Sequence, residues 1–259
     1  MGIGEHRSST VDVRGTPVPI ASGGDGPPLL FLHGEGNTWP WRAVHDELAH
    51  HFEVHAPVHP GFGGTHLPEW VTGMADLAYH YVDVLDALGL DRPVVVGESL
   101  GGWLAFRLAA QRPDRVSGLV LIGSLGLQPA TPMPDLFIKA GPEALGYLSD
   151  RLDARAVDPL QGDAEAATDL WLDQAAQARL MWERPYDPTW LRLAHHVRAP
   201  TRVIWGAADR LLPPDHATRL ADVMGAPPPT VVAGAGHLVT VDAPTDVAAA
   251  VTDLAGEIA

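Results

Sequence analysis

Short apolar runs separated by helical patterns constrain this chain more than any other feature. Strands are expected at Pro28–Leu32, Phe52–Pro57, Pro93–Val96, Val116–Ile122, Thr201–Trp205 and Thr230–Val232. Helical spacing fills the intervals: Trp41, Val44 and Leu48 in one stretch, and Leu77, Tyr81, Val84, Leu85 and Leu88 in another, with Gly89 as its stop. Further helices are expected from the residue after Ser99 to about Arg112, near Asp215–Met224, and near Thr245–Gly256. Strands that stay apolar along their whole length are buried on both faces. Strand–helix alternation of this kind predicts a mostly parallel sheet of about eight strands flanked by helices. Weak alternation at Thr10–Arg14 and Pro17–Ala21 predicts a lead-in hairpin.

The rhythm breaks once. From Ser124 to about Ala199 no strong strand is visible, Pro129, Pro132 and Pro134 open the segment, and helical patterns follow near Asp135–Leu148 and Ala164–Trp182. We expect residues 1–123 and 200–259 to form the core domain, and 124–199 to form a helical cap inserted after the sixth strand. Trp171, Trp182 and Trp190 are expected to serve the core of that cap.

The run Pro93–Val96 ends in Gly97-Glu98-Ser99-Leu100-Gly101. A strand that turns sharply into a helix crowds the residues two before and two after its apex, and glycine relieves that crowding. Ser99 would sit at the apex with an exposed hydroxyl beside a helix N-terminus, where positive partial charge favours an anion. A serine hydroxyl is a poor nucleophile unless a base takes its proton and a third group orients that base. Among 13 histidines, His237 stands out because it follows a strand in the glycine-rich loop Gly234–Gly236. Asp209 lies just beyond the strand Thr201–Trp205, at the edge where open α/β sheets place ligand sites. Asp215 is a rival but reads as a helix N-cap, and Asp242 as a residue of the following turn. Backbone N–H donors for an oxyanion are expected at Leu100 and, in His33-Gly34-Glu35-Gly36, at Glu35. His33 is expected to order that loop. Pocket candidates are Gly34, Gly36, Trp39, Met133, Phe137, Trp182 and Leu238.

These pieces together resemble the α/β-hydrolase superfamily, in its cap-bearing bacterial branch. The matching motifs are His33–Gly36, His59-Pro60-Gly61-Phe62-Gly63, Gly97–Gly102, Asp209 within Gly206–Pro213, and Gly236-His237, in the family's order. The resemblance implies the fold, a Ser99–Asp209–His237 triad and the cap, and leaves the substrate open. A serine nucleophile sets the chain apart from the related epoxide hydrolases and haloalkane dehalogenases, which use aspartate. Ring-cleavage C–C hydrolases are similar too, but many carry Trp after the catalytic His, where this chain has Leu238. Glu98 stands where many relatives carry His, and a carboxylate beside the site would disfavour anionic substrates.

Composition narrows the chemistry. The absence of Cys excludes thiolate catalysis, disulfides and Cys-bound zinc. A net charge of −15 repels nucleic acid and anionic membranes. No apolar stretch has the length of a membrane span, and the polar Met1–Thr10 shows no secretory signal, so a cytoplasmic location is expected. His50-His51, His55, His59 and His195-His196 show no metal-site spacing. We therefore expect no metal, no cofactor, a small-molecule substrate, and a monomer or homodimer. The expected reaction is hydrolysis of a small or medium carboxylic ester, lactone or thioester through an acyl-enzyme on Ser99. The alternatives are C–C bond hydrolysis of a vinylogous diketone, a cofactor-free non-hydrolytic reaction (lyase, perhydrolase or acyltransferase), or ligand binding without catalysis.

Overall fold

The computed structural model describes residues 5–34, 41–137, 139, 141–152 and 164–258. Its first two strands, β1 (Arg7–Val13) and β2 (Thr16–Gly23), form an antiparallel hairpin. The turn falls on Arg14 and Gly15, both at positive φ, as a two-residue hairpin requires. β1 is an exposed edge, so its sequence carries only faint alternation.

The remaining strands are β3 (Pro28–Leu32), β4 (Glu53–Pro57), β5 (Val94–Glu98), β6 (Gly118–Ile122), β7 (Thr201–Gly206) and β8 (Thr230–Val232). One eight-stranded sheet results, in the order β1-β2-β4-β3-β5-β6-β7-β8. β2 pairs antiparallel with β4, and every pairing from β4 through β8 is parallel. Alternate residues feed two cores. Leu30, Leu32, Val95, Leu119, Leu121, Val203 and Trp205 face one side, and Leu29, Phe31, Val94, Val96, Val120, Ile122 and Ile204 the other. Helices α1 (Ala43–Ala49), α2 (Met74–Leu88), α3 (Leu100–Gln111), α4 (Gly141–Leu148), α5 (Ala164–Met181), α6 (Trp190–Leu193), α7 (Pro214–Met224), α8 (Val239–Asp242) and α9 (Pro244–Ile258) complete the fold. α2 buries Leu77, Tyr81, Val84 and Leu85, and ends at Gly89 in the left-handed conformation. Asp215 is not the N-cap of α7: Pro213 is, and the fixed φ of Pro214 starts the helix.

The chain between β6 and β7 contains α4, α5, α6 and a 3-10 turn at Ala194–His196. The helix expected from Asp135 begins only at Gly141. Asp135 instead accepts the Phe137 N–H, a local turn that competes with helix. The segment returns to the core at Asp187, whose buried carboxylate accepts the Thr189 N–H and hydroxyl, accepts Trp103 Nε1–H, and pairs with Arg107. Trp190 stacks on Phe106 at 3.6 Å between ring centroids. Trp190 is core, but Trp171 and Trp182 are 66% and 82% exposed, contrary to expectation. No helix of the described residues is long and apolar enough to cross a membrane.

Candidate active site

β3 and β5 lie side by side at the centre of the sheet, and the connections from them run to opposite sides. Their C-terminal ends form the switch point of the sheet. Ser99 sits there, between β5 and α3, at φ 53° and ψ −114°. Among the described residues only Ser99 and Arg14 combine a side chain with positive φ. The neighbouring glycines make this turn possible. A Cβ on Gly97 would stand 2.2 Å from the Gly101 carbonyl oxygen, and one on Gly101 2.1 Å from that of Leu32.

Ser99 is fully buried rather than exposed. Gly34 packs so closely that a Cβ there would stand 3.0 Å from Ser99 Cβ, and the Leu125 N–H donates to the Ser99 carbonyl. His237 Nε2 lies 2.7 Å from Ser99 Oγ, and His237 Nδ1 lies 2.8 Å from Asp209 Oδ2. Asp209 Oδ1 accepts the N–H groups of Leu211 and Leu212 at 2.8 and 2.9 Å. A carboxylate held in this way accepts Nδ1–H, leaving Nε2 as the acceptor for the serine proton.

The Leu100 N–H opens α3, at the positive end of its dipole. Glu35, Gly36 and Trp39 lie outside the described residues. His33 and Gly34, the last described residues before them, are held by a chain of hydrogen bonds. Tyr81 O–H donates to His59 Nδ1, and His59 Nε2–H donates to the His33 carbonyl at 2.9 Å. The His59 backbone N–H donates to His33 Nε2, and His33 Nδ1–H donates to the Gly34 carbonyl at 2.9 Å. Burial pushes the His33 imidazole down to about 4 and the His59 imidazole well below its ordinary range, so both rings are neutral at pH 7.

The model of the alpha/beta hydrolase fold family matches residues 27–150, from the start of β3 past the serine turn to the end of α4. This is an α/β-hydrolase-fold protein. Along its length it is similar to the 2-hydroxy-6-oxo-6-(2'-aminophenyl)hexa-2,4-dienoic acid hydrolase of Metapseudomonas resinovorans. The two are 28% identical over 258 residues, covering 92% of this chain and 87% of the other. Identity to the 2-hydroxy-6-oxo-2,4-heptadienoate hydrolase of Pseudomonas putida is 41%, over 109 residues that cover 40% of each chain. The crystal structure of a bacterial membrane phospholipase A superposes with a TM-score of 0.82 at 23% identity, covering 98% of this chain and 86% of that one.

In this α/β-hydrolase-fold protein a cavity of about 530 Å3 is lined by Leu125, Met133, Phe137, Met181, Trp182 and Leu211 among others. Three of the expected pocket residues, Met133, Phe137 and Trp182, meet there. Leu238 does not: it is buried in the core, and its N–H donates to the Leu148 carbonyl. Gly34 backs onto Ser99 instead of lining the cavity. None of Ser99, Asp209 and His237 lines the cavity, but two of its wall residues bond to them, Leu125 to the Ser99 carbonyl and Leu211 to the Asp209 carboxylate. Among the described residues no group of three or more His, Asp or Glu is arranged to hold a metal ion.

Two carboxylates have partners that sequence reasoning missed. Asp242 accepts the Gly236 N–H at 2.7 Å and the Ser149 hydroxyl at 2.6 Å, tying the loop of His237 to the end of α4. Glu98 turns to Thr240 and Arg42. Neither pairing has a local spacing signal.

Proposed function

We propose that this protein hydrolyses a small or medium carboxylic ester, lactone or thioester through an acyl-enzyme on Ser99. The observation that carries the reading is the continuous hydrogen-bonded line from Ser99 Oγ through His237 to Asp209, at 2.7 and 2.8 Å. Ser99 Oγ attacks the acyl carbon as its proton passes to His237 Nε2. The tetrahedral oxyanion is received by the N–H groups of Leu100 and Glu35, each worth roughly 2.7–4 kcal/mol of transition-state stabilisation. His237 then protonates the departing oxygen or sulfur, leaving the acyl group on Ser99. Water, deprotonated by the same ring, releases the acid. Asp209 holds the tautomer and steadies the imidazolium. Residues 124–199 act as a cap, and the cavity beneath it takes the apolar acyl part.

C–C bond hydrolysis of a vinylogous diketone is the second reading, favoured by the names of the Pseudomonas and Metapseudomonas relatives. Those names describe carboxylate substrates, which call for a cationic partner. The described wall of the cavity carries Gln128, Asp135 and Gln177 but no Arg or Lys, which supports the neutral acyl substrate. A fluorophosphonate probe followed by intact mass tests the nucleophile: one adduct, on Ser99, is expected, and none on the folded protein refutes the proposal. Turnover of an ester series beside a ring-cleavage dienoate then separates the two readings.

A further inference from the structure

The chemistry just described leaves Glu98 without a role. Its carboxylate is fully buried one residue before the nucleophile. Oε1 accepts the Thr240 backbone N–H at 3.0 Å, and Oε2 accepts the Thr240 hydroxyl at 2.7 Å. Arg42 closes the cluster, with Nη2 at 3.9 Å from Glu98 Oε2 and Nη1 donating to Thr240 Oγ1 at 3.1 Å. Thr240 lies in the first turn of α8, three residues after His237, where a helix has N–H groups with no partner of its own. Glu98 therefore bonds the first turn of the helix that follows the base loop, from the residue beside the nucleophile.

This arrangement solves a mechanical problem. The Ser99–His237 hydrogen bond is consumed when the serine attacks, because its proton moves to the ring. The two backbones then need another tie to keep the ring in reach of the leaving group. The Glu98–Thr240 bonds are outside the proton path and persist through that step. Elsewhere in the loop, Gly236 and Leu238 are held by Asp242 and Leu148 and Ala235 by the Ala208 N–H, while Glu98 supplies a tie that starts from the residue beside the nucleophile itself.

We propose that Glu98, Thr240 and Arg42 form a clasp that keeps His237 in register with Ser99 during turnover, Glu98 being a positioning residue and not a filter of substrate charge. The inference rests on the serine-hydrolase reading above. Its test uses Thr240→Val, which removes the hydroxyl and keeps the shape, Thr240→Ser, which restores it, and Glu98→Gln, each confirmed folded by its melt. With p-nitrophenyl butyrate, Thr240→Val should lower kcat about ten-fold with KM within about two-fold, and Thr240→Ser should recover to within about two-fold. With ethyl butyrate the Thr240→Val loss should be larger still, because an alkoxide leaves only when His237 delivers a proton. Glu98→Gln should also lose kcat and leave the preference between neutral and anionic esters unchanged. A Thr240→Val protein that labels with fluorophosphonate and turns over as the wild type does, or equal losses on both esters, overturns the clasp alone. A wild-type protein that takes no label overturns the hydrolase reading and the clasp together.

Discussion

Gly206 and Gly236 touch backbone to backbone: a Cβ on Gly206 would stand 1.9 Å from the Gly236 carbonyl oxygen and 2.4 Å from that of Ala235. Asp209 follows the first of these glycines by three residues, and His237 follows the second by one. Their side chains meet because these two loops do. Gly206→Ala must pry the loops apart. We expect it to cost more than about 3 kcal/mol of stability in urea unfolding and to lower kcat/KM by about 100-fold or more. Wild-type kinetics would show that the contact does not position the pair.

Ser99 gives a prediction in which activity and stability part company. Ser99→Ala and Ser99→Gly should both lose about 10^4-fold or more in kcat. Alanine keeps the strained positive φ, whereas glycine releases it. Ser99→Gly should therefore be more stable than Ser99→Ala by about 1 kcal/mol. Equal unfolding midpoints, or a less stable glycine variant, would contradict strain at the elbow.

Acid should unfold this protein through its buried histidines. His33 and His216 are both pushed down to about 4, chiefly by burial, from an ordinary value of 6.5. With the folded value below the unfolded one, the unfolded chain takes protons first as pH falls. The stability these neutral rings contribute is complete above 6.5 and is lost progressively towards 4. Melting temperatures measured at pH 7.5, 6 and 5 should fall, and His216→Gln should flatten the slope. A constant melting temperature across that range would be the contrary result.

Asp187 anchors the return of the inserted segment, and its side chain is wholly buried against Arg107 and Trp103. Asp187→Ala leaves the Arg107 cation buried without its partner, a change that costs about 3–5 kcal/mol. Chemical denaturation should register that loss. A change of under 1 kcal/mol would mean that water replaces the carboxylate.

Chain-length preference should respond to Met133, which lines the cavity. Met133→Trp should raise KM for an octanoate ester about ten-fold and change that for a butyrate ester by less than about two-fold. An unchanged ratio would remove the cavity from acyl binding.

The five parallel strands from β3 to β7 were legible because burial on both faces writes itself as continuous apolar sequence, most plainly at Val94–Val96 and Leu119–Ile122. The edge strand β1 is exposed and left only a weak trace. The elbow, Asp209 and His237 each stand after a strand, at a place sequence marks with glycine. Glu98 and Asp242 were opaque. Thr240, which Glu98 binds, is 142 residues away, and Ser149, one of the two partners of Asp242, is 93 residues away, just past the end of α4. The depth of Ser99 was misjudged for a related reason: what packs on it, Gly34 and the segment at Leu125, follows two other strands. The exposed Trp171 belongs to α5, whose apolar residues do not gather on one face, and the exposed Trp182 follows directly on its end.

Two attachments bracket the segment over the sheet. Leu148 and Ser149 moor the histidine loop at one end, and Asp187 moors α3 at the other. Anyone wishing to re-target this enzyme by transplanting that segment from a relative therefore has fixed cutting points. Between Ser149 and Asp187 a graft must still meet the Gly63 N–H, which Asp173 accepts, and the Glu69 carbonyl, to which Arg179 donates, and one cut any wider would carry off the moorings of the very histidine it was meant to serve.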